Sequence, residues 1–113
     1  WCYSPLEEVK KNLLSTCYPE EQIQYIKGKV EDTLTHHRPG KLSLLRLDTD
    51  WYESTRAELQ VLYPLLEKKG VMIIDDFGHW VGAKKAVTEY FESIQAYPLL
   101  QRIDYTGRLM IKI

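Results

Sequence analysis

Leu44-Leu45-Arg46-Leu47-Asp48-Thr49-Asp50-Trp51-Tyr52-Glu53-Ser54-Thr55 is the stretch that decides the fold. An apolar run ends in two acids, then aromatics, then the start of a helix. Val71-Met72-Ile73-Ile74-Asp75-Asp76-Phe77 repeats the same order. One helix-length segment and Gly70 lie between them. The pattern reads as strand, acidic loop, helix, strand, acidic loop. If the strands are parallel neighbours, both acidic loops open at one sheet edge, where open α/β sheets bind their ligands. Carboxylates gathered there select a hard cation such as Mg²⁺, Ca²⁺ or Mn²⁺ rather than Zn²⁺.

Working outward, Leu42 to Leu47 and Val71 to Ile74 are apolar enough to predict strands covered on both faces. Thr55-Arg56-Ala57-Glu58 has the form of a capping box, followed by Leu59, Leu62, Tyr63 and Leu66 at helical spacing. Pro64 inside that pattern predicts a kink or restart, and Gly70 a C-terminal cap. A helix is expected from about residue 82 to 95, with Ala83, Val87, Tyr90, Phe91 and Ile94 on its apolar stripe. Leu99 to Asp104 and Leu109 to Ile113 read as a closing antiparallel pair around Thr106-Gly107. Upstream, Ser4-Pro5-Leu6-Glu7 reads as a capping box opening a helix over about 5–16, and Gln22 to Lys27 as a short strand. Lys29 to Leu34 is a loop or one helical turn, and His36 to Gly40 a turn with both histidines solvated. Strands alternating with helices predict an α/β fold with a mostly parallel sheet, one edge of it antiparallel.

A length of 113 residues suits a single domain, taken as 1–113. The balance of 15 basic and 16 acidic side chains argues against nucleic acid or an anionic membrane as partner. No apolar run reaches 18 residues, so no transmembrane span is expected, and no signal segment opens the chain. Cys2 and Cys17 lack metal-type spacing and are expected to be reduced, which favours a cytoplasmic protein. The chain opens on Trp1-Cys2-Tyr3 without an initiator Met and reads as cut from something longer.

Asp48 and Asp75 each end a strand, and Asp76 adds a third carboxylate. Either these acids share a metal ion, or Asp48 or Asp50 caps the next helix while Asp76 solvates a loop. Clustered without a cation, they would carry raised pKa values. Trp51 and Tyr52 either stack on a ligand or pack beneath the loop. His79 is either a general base beside the metal or an exposed loop histidine, with Trp80 next to it. Glu31 and Asp32 follow Gly28 and either face a ligand from the same edge or are ordinary first-turn acids.

Leu45-Arg46-Leu47-Asp48-Thr49-Asp50-Trp51-Tyr52-Glu53-Ser54-Thr55, Leu62-Tyr63-Pro64 and Gly70 through Asp76 resemble the macrocin O-methyltransferase (TylF-type) family. Lys84-Lys85-Ala86-Val87 and Val9-Lys10-Lys11-Asn12-Leu13 fit it as well. The resemblance implies part of a Rossmann-like class I methyltransferase sheet with helices on both faces. It implies transfer of a methyl group from S-adenosylmethionine to a hydroxyl of a sugar or other small molecule, assisted by Mg²⁺. Asp48, Asp75 and Asp76 match the metal positions, so the ion would hold the acceptor oxygen and lower its pKa. Val30 and Glu31 would lie where related enzymes contact the adenine, and Thr49 and Asp50 beside the cofactor. His79 would border the acceptor, and with Asp48 it is the catalytic candidate that the residues themselves suggest. Trp51, Tyr52 and Trp80 would border the acceptor.

The family's glycine-rich cofactor loop is not in this chain: Gly28, Gly40, Gly70, Gly78, Gly82 and Gly107 are scattered, with no Gly-x-Gly. The fragment alone is therefore expected to be inactive, and unpaired strand edges favour homo-oligomers or swapping. Other readings stay open. One is an Asp-x-Asp phosphatase, another an Asp-x-Asp glycosyltransferase using Mn²⁺, and a third a non-catalytic module that keeps the fold.

Overall fold

The computed structural model describes residues 4–113, so Cys2 lies outside the described residues. Four strands form one sheet in the order β1-β2-β4-β3. They are β1 (Leu42–Leu47), β2 (Leu66–Ile74), β3 (Gln101–Arg102) and β4 (Arg108–Ile111). The helices are α1 (Leu6–Leu14), α2 (Val30–Thr33), α3 (Tyr52–Leu62) and α4 (Val81–Ser93). None of them is long and apolar enough to cross a membrane.

β1 and β2 pair in parallel, with Leu47 opposite Ile74. The Asp75 N–H donates to the Leu47 carbonyl at 2.9 Å and carries the ladder one step past the strand end. The two acidic loops therefore leave the sheet side by side. β4 runs antiparallel to β2, and β3 antiparallel to β4, which is the expected closing pair.

Strand alternation sends Leu45, Leu47, Met72, Ile74 and Met110 to one face. There they meet Leu59 of α3, Tyr63 just after it, and Val87 and Phe91 of α4. Each such buried side chain contributes roughly 1.5–3 kcal/mol relative to exposure. Tyr63 meets Tyr90 and Phe91 edge to face, with centroids 5.7 and 5.1 Å apart.

The expectation of strands covered on both faces by helices needs correction. The crossover from β1 to β2 puts α3 on one face, and α4 packs beside it in the same core. Leu44 and Ile111, on the opposite face, stay 58% and 56% exposed. The sheet is also mixed rather than mostly parallel, since β1–β2 is its one parallel ladder.

The strand expected over 22–27 does not form. Glu20–Gln22 is a 3₁₀ turn, and Ile23 is extended without a ladder (φ −111°, ψ 127°). Alternating apolar residues make a strand only where a neighbour takes up the backbone N–H and C=O groups.

Neither capping box forms. Pro5, not Ser4, is the N-cap of α1, and no side chain caps that end. α3 starts three residues before Thr55, with Trp51 at its N-cap, so Thr55 and Glu58 lie buried inside it. Pro64 does restart the chain, as the 3₁₀ turn Tyr63–Leu65.

Gly70 is no helix cap. It lies within β2 beside a register shift, following Lys69 at φ 70°. A Cβ on Gly70 would sit 2.8 Å from the Glu67 carbonyl oxygen, so the buried strand start demands glycine there.

Candidate metal centre and active site

The loop after β1 turns sharply. Asp50 adopts φ 67°, a left-handed conformation that aspartate tolerates better than most residues. The Trp51 N–H donates to the Thr49 carbonyl at 2.7 Å, and Ser54 Oγ donates to the Thr49 and Trp51 carbonyls. Thr49 Oγ1 donates to Glu58 Oε2 at 3.1 Å, tying the loop to α3.

The loop after β2 is held from the other side. The Gly78 N–H donates to the Thr106 carbonyl at 2.9 Å, and a Cβ at Gly78 would lie 2.0 Å from the Tyr105 carbonyl oxygen. Only glycine permits that approach. The N–H groups of His79 and Trp80 both donate to the Asp76 carbonyl. On the hairpin, Asp104 Oδ1 accepts from the backbone of Gly107 and Thr106, which holds its carboxyl below the usual range.

Asp48, Asp75 and Asp76 converge between these loops. Each offers an oxygen, and the three lie within 4.8 Å of one another. Burial raises the pKa of Asp48, with Asp75 pushing the same way and Arg46 opposing. Asp76 is pushed up to about 7, first by burial, then by Asp50, with Asp75 and Asp48 adding to it. Asp76 Oδ2 is buried and has no hydrogen-bond partner. Two carboxylates can bond only by sharing a proton, so a proton shared with Asp50 or a cation would satisfy that oxygen. An all-oxygen set with one orphaned buried acceptor fits a hard divalent ion.

Trp51 and Trp80 meet at 5.4 Å between ring centroids and stand half exposed beside the acids. His79 lies edge-on to Trp80 at 4.9 Å and to Tyr105 at 6.4 Å. Tyr52 is separate from this group: its hydroxyl donates to Glu89 on α4 at 2.5 Å, and Lys85 lies over its ring. Val30 and Glu31 begin α2, which packs on α3, and the charge of Glu31 reaches Glu58. Thr49, Glu58 and Glu31 thus belong to one acidic shoulder next to Asp48.

Three site residues escape the sequence reading. Arg46 bridges Asp48 Oδ2 at 2.9 Å and Asp75 Oδ1 at 3.0 Å. Its signal is visible in retrospect, as the one charge within the apolar run Leu44–Leu47. Glu58, only 4% exposed, is disguised by the capping-box pattern. Tyr105 comes from the hairpin, and nothing in its neighbourhood marks it.

The family model described as "Macrocin-O-methyltransferase (TylF)" matches residues 3–112. A Streptomyces olivaceus protein named 8-demethyl-8-(2,3-dimethoxy-alpha-L-rhamnosyl)-tetracenomycin-C 4'-O-methyltransferase is 35% identical over 103 residues, covering 91% of this chain and 39% of the relative. Demethyldecarbamoylnovobiocin O-methyltransferase of Streptomyces niveus is 36% identical over 101 residues, covering 89% of this chain and 38% of its own. The solved structure of the O-methyltransferase NovP superposes with a TM-score of 0.89 at 34% identity, over 95% of this chain and 44% of that one. The chain thus spans about two fifths of the length of the curated relatives it matches. With the family model covering nearly every residue, this chain belongs to the macrocin O-methyltransferase (TylF) family.

Proposed function

We propose that this chain is the metal-bearing part of an S-adenosylmethionine-dependent O-methyltransferase that acts on a hydroxyl of a small molecule. A sugar hydroxyl is the favoured acceptor, because one relative is named for methylation of a rhamnosyl-bearing product. The observation that carries this is the meeting of Asp48, Asp75 and Asp76 at the ends of adjacent parallel strands, with one buried oxygen left unsatisfied.

A hydroxyl is a weak nucleophile toward a sulfonium methyl. Asp48, Asp75 and Asp76 would hold a divalent ion, which would supply Lewis-acid polarisation that lowers the hydroxyl's pKa. His79, on the turn that directly follows Asp75 and Asp76, is the candidate to take the released proton. Trp51 and Trp80 offer ring faces against which an acceptor can lie, fixing its approach. Val30, Glu31, Thr49 and Asp50 are the residues proposed to contact the methyl donor. Tyr52 is a weaker candidate for the acceptor wall, since Glu89 and Lys85 engage it.

Calorimetric titration of the full chain with Mn²⁺ and with S-adenosylhomocysteine tests the proposal. Mn²⁺ should bind, and Asp76→Asn should abolish the binding. Cofactor binding that ignores Mn²⁺ would demote the three acids to structural groups. Binding of neither would favour a non-catalytic module.

A further inference from the structure

We propose that Arg46 is a resident counter-cation that sets how tightly the acidic cluster holds a divalent ion. The inference rests on the metal reading above and goes beyond it. A single guanidinium nitrogen, Nη2, touches Asp48 Oδ2 at 2.9 Å and Asp75 Oδ1 at 3.0 Å. These carboxylates come from different strands, and bare they would repel each other. A guanidinium stays charged at any working pH, so the relief it gives is permanent.

The arrangement divides the cluster. Arg46 satisfies Asp48 and Asp75, whereas Asp76 Oδ2 has no partner. An arriving ion can use the free oxygen of Asp76, but it must share the other two carboxylates with a fixed positive charge. The charge opposes the ion across one contact layer. In a water-like dielectric, repulsion between single and double charges at that range weakens binding by roughly tenfold. Arg46 therefore acts as a positioning residue: it keeps the empty cluster assembled and makes the ion exchangeable.

The side chain is 55% exposed on the uncovered face of the sheet, so its removal should not endanger the core. Among the described residues its only ion pairs are those with Asp48 and Asp75.

The test measures Mn²⁺ binding to the full chain by the electron paramagnetic resonance signal of free Mn²⁺ at low ionic strength. Arg46→Met removes the charge and keeps an unbranched stem, Arg46→Gln serves as a second neutral variant, and Arg46→Lys keeps the charge. Far-UV circular dichroism confirms that each is folded. The neutral variants should bind about tenfold tighter than the parent and Arg46→Lys within about twofold of it. The gain should shrink as added salt screens the charge, which a packing role would not produce. Binding by the neutral variants alone would support the proposal in its strongest form. Equal or weaker binding by folded neutral variants, with the parent binding, would overturn it while leaving the metal site intact. Absence of Mn²⁺ binding in parent and neutral variants alike would sink the metal reading, and the role of Arg46 with it.

Discussion

Replacing Glu58 by Gln should stabilise this protein increasingly as the pH rises from 4.5 to about 7, and fully above that. Glu58 is 4% exposed, and burial lifts its pKa from 4.5 to about 7, with Glu31 and Asp48 pushing the same way and the Thr49 hydrogen bond opposing. Below pH 4.5 the carboxyl is protonated both folded and unfolded, so charge costs nothing. Between 4.5 and 7 the unfolded chain has released its proton and the folded chain still holds it, so stability falls as pH rises. Above 7 the folded chain carries a buried charge, and the accumulated cost is roughly 3 kcal/mol at 1.36 kcal/mol per pKa unit. Gln keeps an oxygen to accept from Thr49 Oγ1 and has no charge to bury. Urea unfolding of parent and Glu58→Gln at pH 4.5 and pH 8 would measure this. The variant should match the parent within about 0.5 kcal/mol at the lower pH and exceed it by up to about 3 kcal/mol at the higher. An offset that is the same at both pH values would refute the reasoning, as would a variant less stable at pH 8.

Gly78→Ala should cost about 1–3 kcal/mol by forcing a Cβ into the Tyr105 carbonyl. It should also weaken Mn²⁺ binding, because the displaced loop carries Asp75 and Asp76, and calorimetry on folded protein would show it. Lys112→Met removes the ammonium that donates to the Tyr63 and Leu66 carbonyls at 3.1 and 2.7 Å. About 1–3 kcal/mol of stability should be lost, read from the urea midpoint, with no change in metal affinity. Met72→Ala, at a fully buried position of β2 between Leu45 and Met110, should cost about 2–5 kcal/mol through the cavity it leaves.

What the sequence made legible follows from how local each signal is. β1 is met at both ends because an apolar run stops at a charge, and Asp48 and Asp75 announce the stops themselves. The closing hairpin and the restart at Pro64 are written in turn chemistry that needs no distant partner. The strand expected at 22–27 fails for the opposite reason, since strands exist only in pairs. The Thr55–Glu58 pattern misleads because a buried Glu bound to Thr49 and a capping Glu have the same spacing. Asp48, Asp75 and Asp76 were legible as a convergence, but Arg46 was not: its contacts depend on the register that sets Leu47 opposite Ile74 and brings Asp75 within its reach.

The placement of charge explains why the site sits at this edge. Asp48, Asp50, Asp75, Asp76, Glu31 and Glu58 crowd one end of the sheet, and Arg46 is the cation bound directly to two of them. A fold selected for stability alone would not leave Asp76 with an unpartnered buried oxygen, nor bury Glu58 behind a loop already rich in acid. Local rules are broken together at one place while the core behind them packs without conflict, which is the pattern the proposed ion site would produce. A divalent ion would relieve Asp76 directly and would lower the repulsion felt by Glu58 through Asp48. Ion binding should therefore shift the Glu58 titration downward, narrow the pH window over which the parent loses stability, and shrink the advantage of Glu58→Gln at pH 8. Repeating the urea comparison with saturating Mn²⁺ would show whether the two sites communicate by charge, because an unchanged pH window would mean that they do not.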